Sequence, residues 1–366
     1  MDQIWMQRCL ELARQGRTAP NPQVGCVIVQ GDRLLGEGFH PQVGQPHAEV
    51  LALQAAQAVD SQAVKGATLY VNLEPCNHYG RTPPCTEAII QAQIGRVVVG
   101  MIDPDPRVQG QGCDRLRAAG IEVAVGVLEP ACQQLNEGFS HRQRTGCPWG
   151  ILKYAITLDG KIATATGHSQ WITGDLARQA VHQLRASCEA VITGGNTVRL
   201  DNPSLTTHGV SQIQPLRVIL SPSLNLPNQA QVWDGSAPTL VFTQLNQNLA
   251  LQTSLRDRGI EVIVSNDLTP RRVMAELGAR GCNQVLWECG GKLAGLAIAA
   301  GAVQKVYAFI APKIIGGSLS PVTDLGIKNM SEAYMLERTT IQPYGEDWLI
   351  TGYLAPRVEI PAQQLL

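Results

Sequence analysis

Pro46-His47-Ala48-Glu49-Val50-Leu51-Ala52-Leu53-Gln54-Ala55-Ala56 reads as the start of a helix that carries its own chemistry. From His47 to Val59 the spacing is helical, with Val50, Leu51, Leu53 and Ala55 supplying an apolar face. An imidazole and a carboxylate stand two residues apart at its first turn. Toward the N-terminus, Ile4, Met6, Leu10, Leu12 and Ala13 predict an opening helix. Residues 24–29 and 34–38 then predict two strands joined across Gly31-Asp32. Toward the C-terminus the expected order is a strand at 68–73, a helix at 84–92, a strand at 96–100, a helix at 110–119 and a strand at 121–127. A last helix is expected from Pro130 to about Arg144. Strands alternating with helices across short links predict a three-layer α/β domain.

Further along, Pro75-Cys76 and Pro84-Cys85 add two thiols to the imidazole of His47. One imidazole and two thiolates suit a zinc ion and leave one tetrahedral position for water. Zinc in such a site acts as a Lewis acid and makes hydroxide available near neutral pH. Glu49, at the helix start beside His47, is placed to take a proton from that water and to deliver it to a ring nitrogen and a leaving amine. Helix N-termini near His47 and Cys85 favour the thiolate and carboxylate charges. A zinc with a purely structural role would want a fourth protein ligand, for which His78 is the nearby candidate. The H-x-E…P-C…C order is that of hydrolytic zinc deaminases, although eight residues here separate Cys76 from Cys85.

At 366 residues the chain exceeds the usual single-core size, which implies two domains. A formal net charge of −1 and the absence of a basic stripe disfavour DNA or RNA as a partner. The N-terminal segment lacks the apolar run of a signal peptide. The most apolar stretch, residues 293–302, is too short to span a bilayer. The expectation is a soluble, cytoplasmic protein with no membrane partner. Its ten cysteines fit reduced thiols, with Cys9, Cys26, Cys113, Cys132, Cys188 and Cys282 buried as small apolar residues.

Thr145-Gly146-Cys147-Pro148 reads as a boundary, giving domains 1–146 and 147–366. Strands are expected in the second at 150–157, 190–193, 217–220, 239–243, 261–264, 284–288, 305–310 and 348–353. Helices are expected at 175–186, 270–278 and 293–301, and a long polar loop at 197–215. No G-x-G-x-x-G follows an early strand, so a Rossmann site is not supported. Instead the strand ending at Glu288 runs into Gly290-Gly291 at a helix start, where backbone N–H groups can approach a phosphate.

The run Pro75-Cys76-Asn77-His78-Tyr79-Gly80-Arg81-Thr82-Pro83-Pro84-Cys85 closely resembles the bifunctional deaminase/reductase family of riboflavin biosynthesis. So do Pro20-Asn21-Pro22-Gln23-Val24-Gly25-Cys26, Pro46-His47-Ala48-Glu49 and Asp103-Pro104-Asp105-Pro106 with Gly110 and Gly112. The resemblance continues through Lys153–Ala163, Ser169–Thr173, Leu184-Arg185, Gly195–Val198, Asp201-Asn202-Pro203, Glu288–Gly291 and Ile310–Lys313. It implies a cytidine-deaminase-like N-terminal domain and a C-terminal α/β domain similar to dihydrofolate reductase. It further implies that the first removes an exocyclic amine from a ribosylaminopyrimidine 5′-phosphate, and that the second reduces the product's ribose to ribityl with NADPH. His47, Cys76 and Cys85 are then zinc ligands, Glu49 the proton shuttle, and Asn21, His78 and Arg81 line the substrate pocket. Ala155, Trp171, Thr197, Asp201 and Gly290, Gly291, Lys292, Leu293, Ala294, Gly295 and Leu296 would contact NADPH. Ser169, Arg185, Leu205 and Glu288 would contact the small-molecule pyrimidine ribose phosphate, with Arg185 suited to its phosphate. A homo-oligomer, dimer or higher, is implied as well.

Departures gather around the cofactor. Gly291-Lys292 stands where the family commonly has Pro-Thr, Pro222 follows Ser221 at a strand end, and His208 sits where some members carry arginine, while in the first domain Asp105 replaces an asparagine. They leave open a deaminase whose second domain no longer reduces. A nucleic-acid-editing deaminase, which shares the zinc chemistry, would call for a basic surface.

Overall fold

The computed structural model describes residues 1–79, 83–106 and 108–355. The chain divides into two compact units, Met1–Cys147 and Pro148–Leu366.

The first unit runs α1 (Asp2–Ala13), β1 (Gly25–Gln30), β2 (Arg33–Phe39), α2 (Ala48–Asp60), β3 (Thr68–Val71), α3 (Cys85–Gln91), β4 (Arg96–Val99), α4 (Gln111–Ala118), β5 (Glu122–Val125), α5 (Glu129–Leu135) and α6 (Glu137–Thr145). Its sheet has the order β2-β1-β3-β4-β5. β1 pairs antiparallel with β2 and β3, while β3, β4 and β5 are parallel. Alternating strand residues feed two cores, as period-two geometry requires. Cys26, Ile28, Leu69, Val71, Val97 and Val99 face Ala52, Leu53, Ile89 and Leu116 of α2, α3 and α4. Val27, Val29, Tyr70 and Val98 face Met6, Leu10 and Cys132 of α1 and α5. The result is the expected three-layer domain. Gly36 and Gly38 let α2 lie directly on β2, since a Cβ there would meet backbone nitrogens of Ala56 and Ala52 at 2.4 and 2.7 Å.

One helix differs from expectation. The segment 130–144 is broken at Asn136 into α5 and α6. The Asn136 side chain leaves the helix pattern to accept from Gln23 N–H (2.8 Å) and donate to Gln23 O (2.9 Å). That local exchange ties α6 to the segment containing Asn21 and ends the uniform helix.

The second unit runs β6 (Trp149–Thr157), α7 (Asp175–Ala186), β7 (Ala190–Gly194), α8 (Gly195–Asp201), β8 (Leu216–Leu220), β9 (Thr239–Thr243), α9 (Leu249–Asp257), β10 (Glu261–Val264), α10 (Pro270–Ala279), β11 (Gln284–Trp287), α11 (Gly291–Ala299), β12 (Lys305–Ala311), β13 (Leu336–Tyr344) and β14 (Asp347–Leu354). The sheet order is β10-β9-β8-β7-β11-β6-β12-β14-β13. It is parallel from β10 to β12, with β14 and β13 added antiparallel. Apolar strand runs are buried on both faces, as parallel sheets demand.

Three elements escape the sequence pattern. α8 occupies the start of the segment 197–215 that reads as loop, and α9 is capped by Asn248, whose side chain accepts from Leu251 N–H at 3.2 Å. β13 is an edge strand exposed along almost its whole length, so it shows no alternation to read. All ten cysteines are free thiols, and the six expected to be buried are buried.

Candidate active sites

In the first unit two helix starts and one loop meet. His47 is the N-cap residue of α2, and Cys85 is the first residue of α3. Cys76 follows β3. Metal-ligating atoms of these three residues lie within 4.8 Å of one another. His47 Nδ1 is 3.3 Å from Cys85 Sγ and 3.6 Å from Cys76 Sγ, and Cys85 N–H donates to Cys76 Sγ at 3.3 Å. The Cys85 thiol, donating to Cys76, and the His47 ring beside it hold the Cys76 thiol well below the usual thiol range. A thiolate is what a metal ion requires. One imidazole and two sulfurs form a zinc donor set with a position to spare. Among the described residues no fourth side chain joins the cluster, and His78 instead lines the adjoining cavity.

That cavity, about 240 Å³, is floored by His47, Glu49 and Cys76. Glu49 is 3 % exposed, and burial, reinforced by the Cys76 charge, pushes its carboxyl up to about 7. Asn21 lines the cavity with His40. The His40 Nδ1 lies 3.1 Å from Pro46 O and its Nε2 lies 3.1 Å from Asn21 Nδ2. A carbonyl only accepts, so Nδ1 carries the proton and Nε2 accepts from the Asn21 amide. Burial lowers the His40 pKa, which keeps that neutral form. Arg81 lies outside the described residues. The sequence motifs do not include His40, Phe139 and Gln143 and give no role to Asp103, yet all four line the cavity. His40 and the α6 pair Phe139 and Gln143 lack any ligand-like spacing in the sequence. Burial pushes Asp103 up to about 6, with Glu74 and Asp105 adding negative charge.

In the second unit the carboxyl ends of β6, β7 and β11 lie side by side, the position where open α/β sheets hold ligands. Glu288, just past β11, is clamped by Arg185 of α7 (Nε–Oε2 2.8 Å, Nη2–Oε1 2.9 Å) and by Lys153 of β6 (3.1 Å). Burial alone would raise the Glu288 carboxyl, but these two cations hold it well below the usual carboxylate range. Arg185 also donates to Thr206 O at 2.9 Å, so its fork is engaged within the protein. Lys153 went unassigned in the sequence, although a lysine inside an apolar strand signals a buried partner.

The other candidates fall into four groups. Ser169 Oγ donates to Asp201 Oδ1 at 2.9 Å, joining two of them directly. Trp171 is 62 % exposed with Arg178 stacked 4.5 Å over its ring, while Thr197 and Ala155 are half-buried on α8 and β6. Leu205 is 1 % exposed with its side chain in the apolar core, which leaves only its backbone to face a ligand. At α11, Gly290 is the N-cap with open space where a Cβ would be. Lys292 and Leu296 are exposed, Leu293 is half-buried, and Ala294 is buried. Gly291 and Gly295 face the chain at 320–323 rather than solvent: a Cβ on Gly291 would lie 2.4 Å from Ser320 O. Gly291→Ala is therefore expected to lower the stability of this unit by about 1–3 kcal/mol. A urea unfolding midpoint checks this, and an unchanged midpoint would contradict the packing described.

Comparison with known proteins agrees with this arrangement. The cytidine and deoxycytidylate deaminase zinc-binding region matches residues 1–101, and the RibD C-terminal domain matches residues 148–350. The chain is 60% identical over 358 residues to the riboflavin biosynthesis protein RibD of Synechocystis sp., covering 96% of each chain. It is 42% identical to RibD of Aquifex aeolicus, covering 96% of this chain and 98% of that one. Among solved structures, RibD of Acinetobacter baumannii superposes with a TM-score of 0.86 at 38% identity, over 97% of this chain and 99% of that chain. The diaminohydroxyphosphoribosylaminopyrimidine deaminase/5-amino-6-(5-phosphoribosylamino)uracil reductase of Thermotoga maritima gives 0.87 at 36% identity, with the same coverage. A half-buried histidine–dithiol cluster beside a buried carboxylate, followed by a second α/β unit that matches the RibD C-terminal domain, thus has one consistent reading: the chain belongs to the RibD family of bifunctional, zinc-dependent deaminases and NADPH-dependent reductases of riboflavin biosynthesis.

Proposed function

We propose that residues 1–146 deaminate the diaminohydroxyphosphoribosylaminopyrimidine at the centre formed by His47, Glu49, Cys76 and Cys85, and that residues 147–366 reduce the ribosyl chain of the resulting uracil. The observation that carries the reading is the cluster of His47 Nδ1 and two cysteine sulfurs on the floor of a cavity that also holds buried Glu49. Zinc held by those atoms supplies a Lewis acid and a water of lowered pKa. Glu49 accepts a proton from water and returns protons to the ring nitrogen and the departing amine. Water adds its oxygen to the ring carbon that carries the amine and ammonia leaves, so that carbon becomes a carbonyl carbon. Asn21, held by neutral His40, and His78 position the substrate, with Arg81 completing that wall.

In the second unit NADPH supplies a hydride, and the protein's part is orientation. Backbone N–H groups at Gly290, the opening of α11 and the side chains of Thr197, Asp201 and Trp171 hold the dinucleotide. Lys153, Arg185 and Glu288 act as one ion-paired group facing the sugar, with Ser169 and the backbone of Leu205 alongside. Exposed Lys292, at the first turn of α11, adds a positive charge near a cofactor phosphate. Lys292→Ala is expected to raise the KM for NADPH roughly fivefold with kcat unchanged; an unchanged KM removes Lys292 from the cofactor site. The reading as a whole is tested by NADPH oxidation on supplied deaminated substrate. Absorbance loss with ribityl product supports it, and its absence while deamination proceeds would leave a deaminase with a degenerate second unit.

A homo-oligomer is supported by β13, an exposed edge strand that carries Ile341 at 67% exposure and is preceded by Met330 and Met335 at 87% and 65%. Light scattering of a monomer at micromolar concentration would remove this part. No helix among the described residues is long and apolar enough to cross a membrane, and we place the enzyme in the cytoplasm.

A further inference from the structure

Glu74 lies just before Pro75-Cys76 and is only 4 % exposed, yet it ligates nothing in the metal cluster. Its carboxylate accepts four backbone hydrogen bonds. Oε2 takes Asp103 N–H at 3.1 Å and Gly110 N–H at 2.9 Å, and Oε1 takes Gly112 N–H at 2.8 Å and Cys113 N–H at 3.1 Å. Its own N–H donates to Met101 O at 2.9 Å. All four donors belong to the connection between β4 and α4 and to the first turn of α4. A carboxylate offers about four acceptor sites, so the number of donors matches its capacity.

The two segments joined in this way are the two walls of the deaminase cavity. Leu73, Cys76 and His78 come from the side of Glu74, and Asp103, Asp105 and Val108 come from the clamped connection. Gly112 brings the walls together from the other direction, since a Cβ there would stand 2.1 Å from Pro75 O and 3.1 Å from Glu74 Oε1.

We infer that Glu74 is a positioning residue for deamination: it sets the spacing between the segment carrying Cys76 and the loop that faces it across the substrate cavity. This rests on the reading of the first unit as the deaminase. The second unit provides an internal control, because a change confined to this spacing leaves the reductase untouched.

The test uses the full chain with Glu74→Gln. The amide turns an NH₂ group toward two backbone donors, replacing a pair of hydrogen bonds with a repulsion and moving the loop. Expected are unchanged zinc stoichiometry, unchanged NADPH oxidation on supplied deaminated substrate, and a deaminase kcat/KM lowered by about 10–100-fold, chiefly through KM. Glu74→Asp keeps the charge but cannot reach all four donors, so it should show the same split more weakly; it also decides the matter if Glu74→Gln fails to fold. A role in stability alone would lower the melting temperature while leaving KM within about twofold of the unsubstituted chain, and that result overturns the inference. Joint loss of zinc, deamination and reduction in both variants overturns it as well. A chain that fails to deaminate before any substitution would overturn the deaminase reading itself, a failure visible without the variants.

Discussion

Glu49→Ala is expected to lower deamination by a factor on the order of 10²–10⁴ while zinc content and NADPH oxidation on supplied deaminated substrate stay at their original levels. Glu49 stands in the first turn of α2, beside the N-cap residue His47, so the fold that places the imidazole also places the carboxylate. It is almost completely buried and lines the same cavity as His47 and Cys76. Its burial pushes the carboxyl up to about 7, in the range where a group both takes and gives protons readily. It contributes no metal-ligating atom, so removing it should spare the His47, Cys76 and Cys85 cluster. Metal analysis together with separate assays of ammonia release and NADPH oxidation checks all three parts. Loss of zinc with the activity would show that Glu49 supports the cluster rather than moves protons.

Arg185→Ala is expected to destabilise the second unit by about 3–5 kcal/mol and to remove reduction, with deamination retained. The Glu288 carboxylate, 15% exposed, accepts two of its three cationic hydrogen bonds from Arg185, and Lys153 alone cannot replace a bidentate guanidinium. The pH dependence follows from the sign of the shift. The Glu288 carboxyl is depressed in the folded protein, so its contribution is complete above the ordinary carboxylate pKa of about 4.3 and fades as pH falls below that value. The stability difference between the original chain and Arg185→Ala should therefore be large at pH 7 and shrink in acid. Urea unfolding followed at both pH values measures it. An equal difference at both would mean that lost packing of the arginine stem, not its charge, is responsible.

The metal centre was legible because its chemistry is compact in sequence: His47 and Glu49 share one helix turn, and the Pro-Cys pairs mark the ends of one loop. The first unit's layers were legible because each strand and helix has a buried face with its own period. What escaped did so for identifiable reasons. β13 buries too little to alternate, and the helix break at Asn136 depends on Gln23, far away in sequence. The same is true of Glu74, whose partners at 103 and 110–113 become neighbours only when β3 and β4 pair. His40 acts through Asn21 and Pro46, neither of which signals a histidine. In the second unit, the resemblance names residues without giving their orientation. Leu205 turns into the core, Gly291 turns toward Ser320, and Arg185 is paired with Glu288.

Two sequential activities in one chain can be measured by supplying the purified protein with the diaminopyrimidine ribosyl phosphate, zinc and NADPH. Ammonia, NADPH consumption and product mass are then measured together. One ammonia released and one NADPH oxidised per ribitylaminouracil phosphate formed are expected. Ammonia without NADPH oxidation, with the ribosylaminouracil phosphate accumulating, would contradict this pairing of activities.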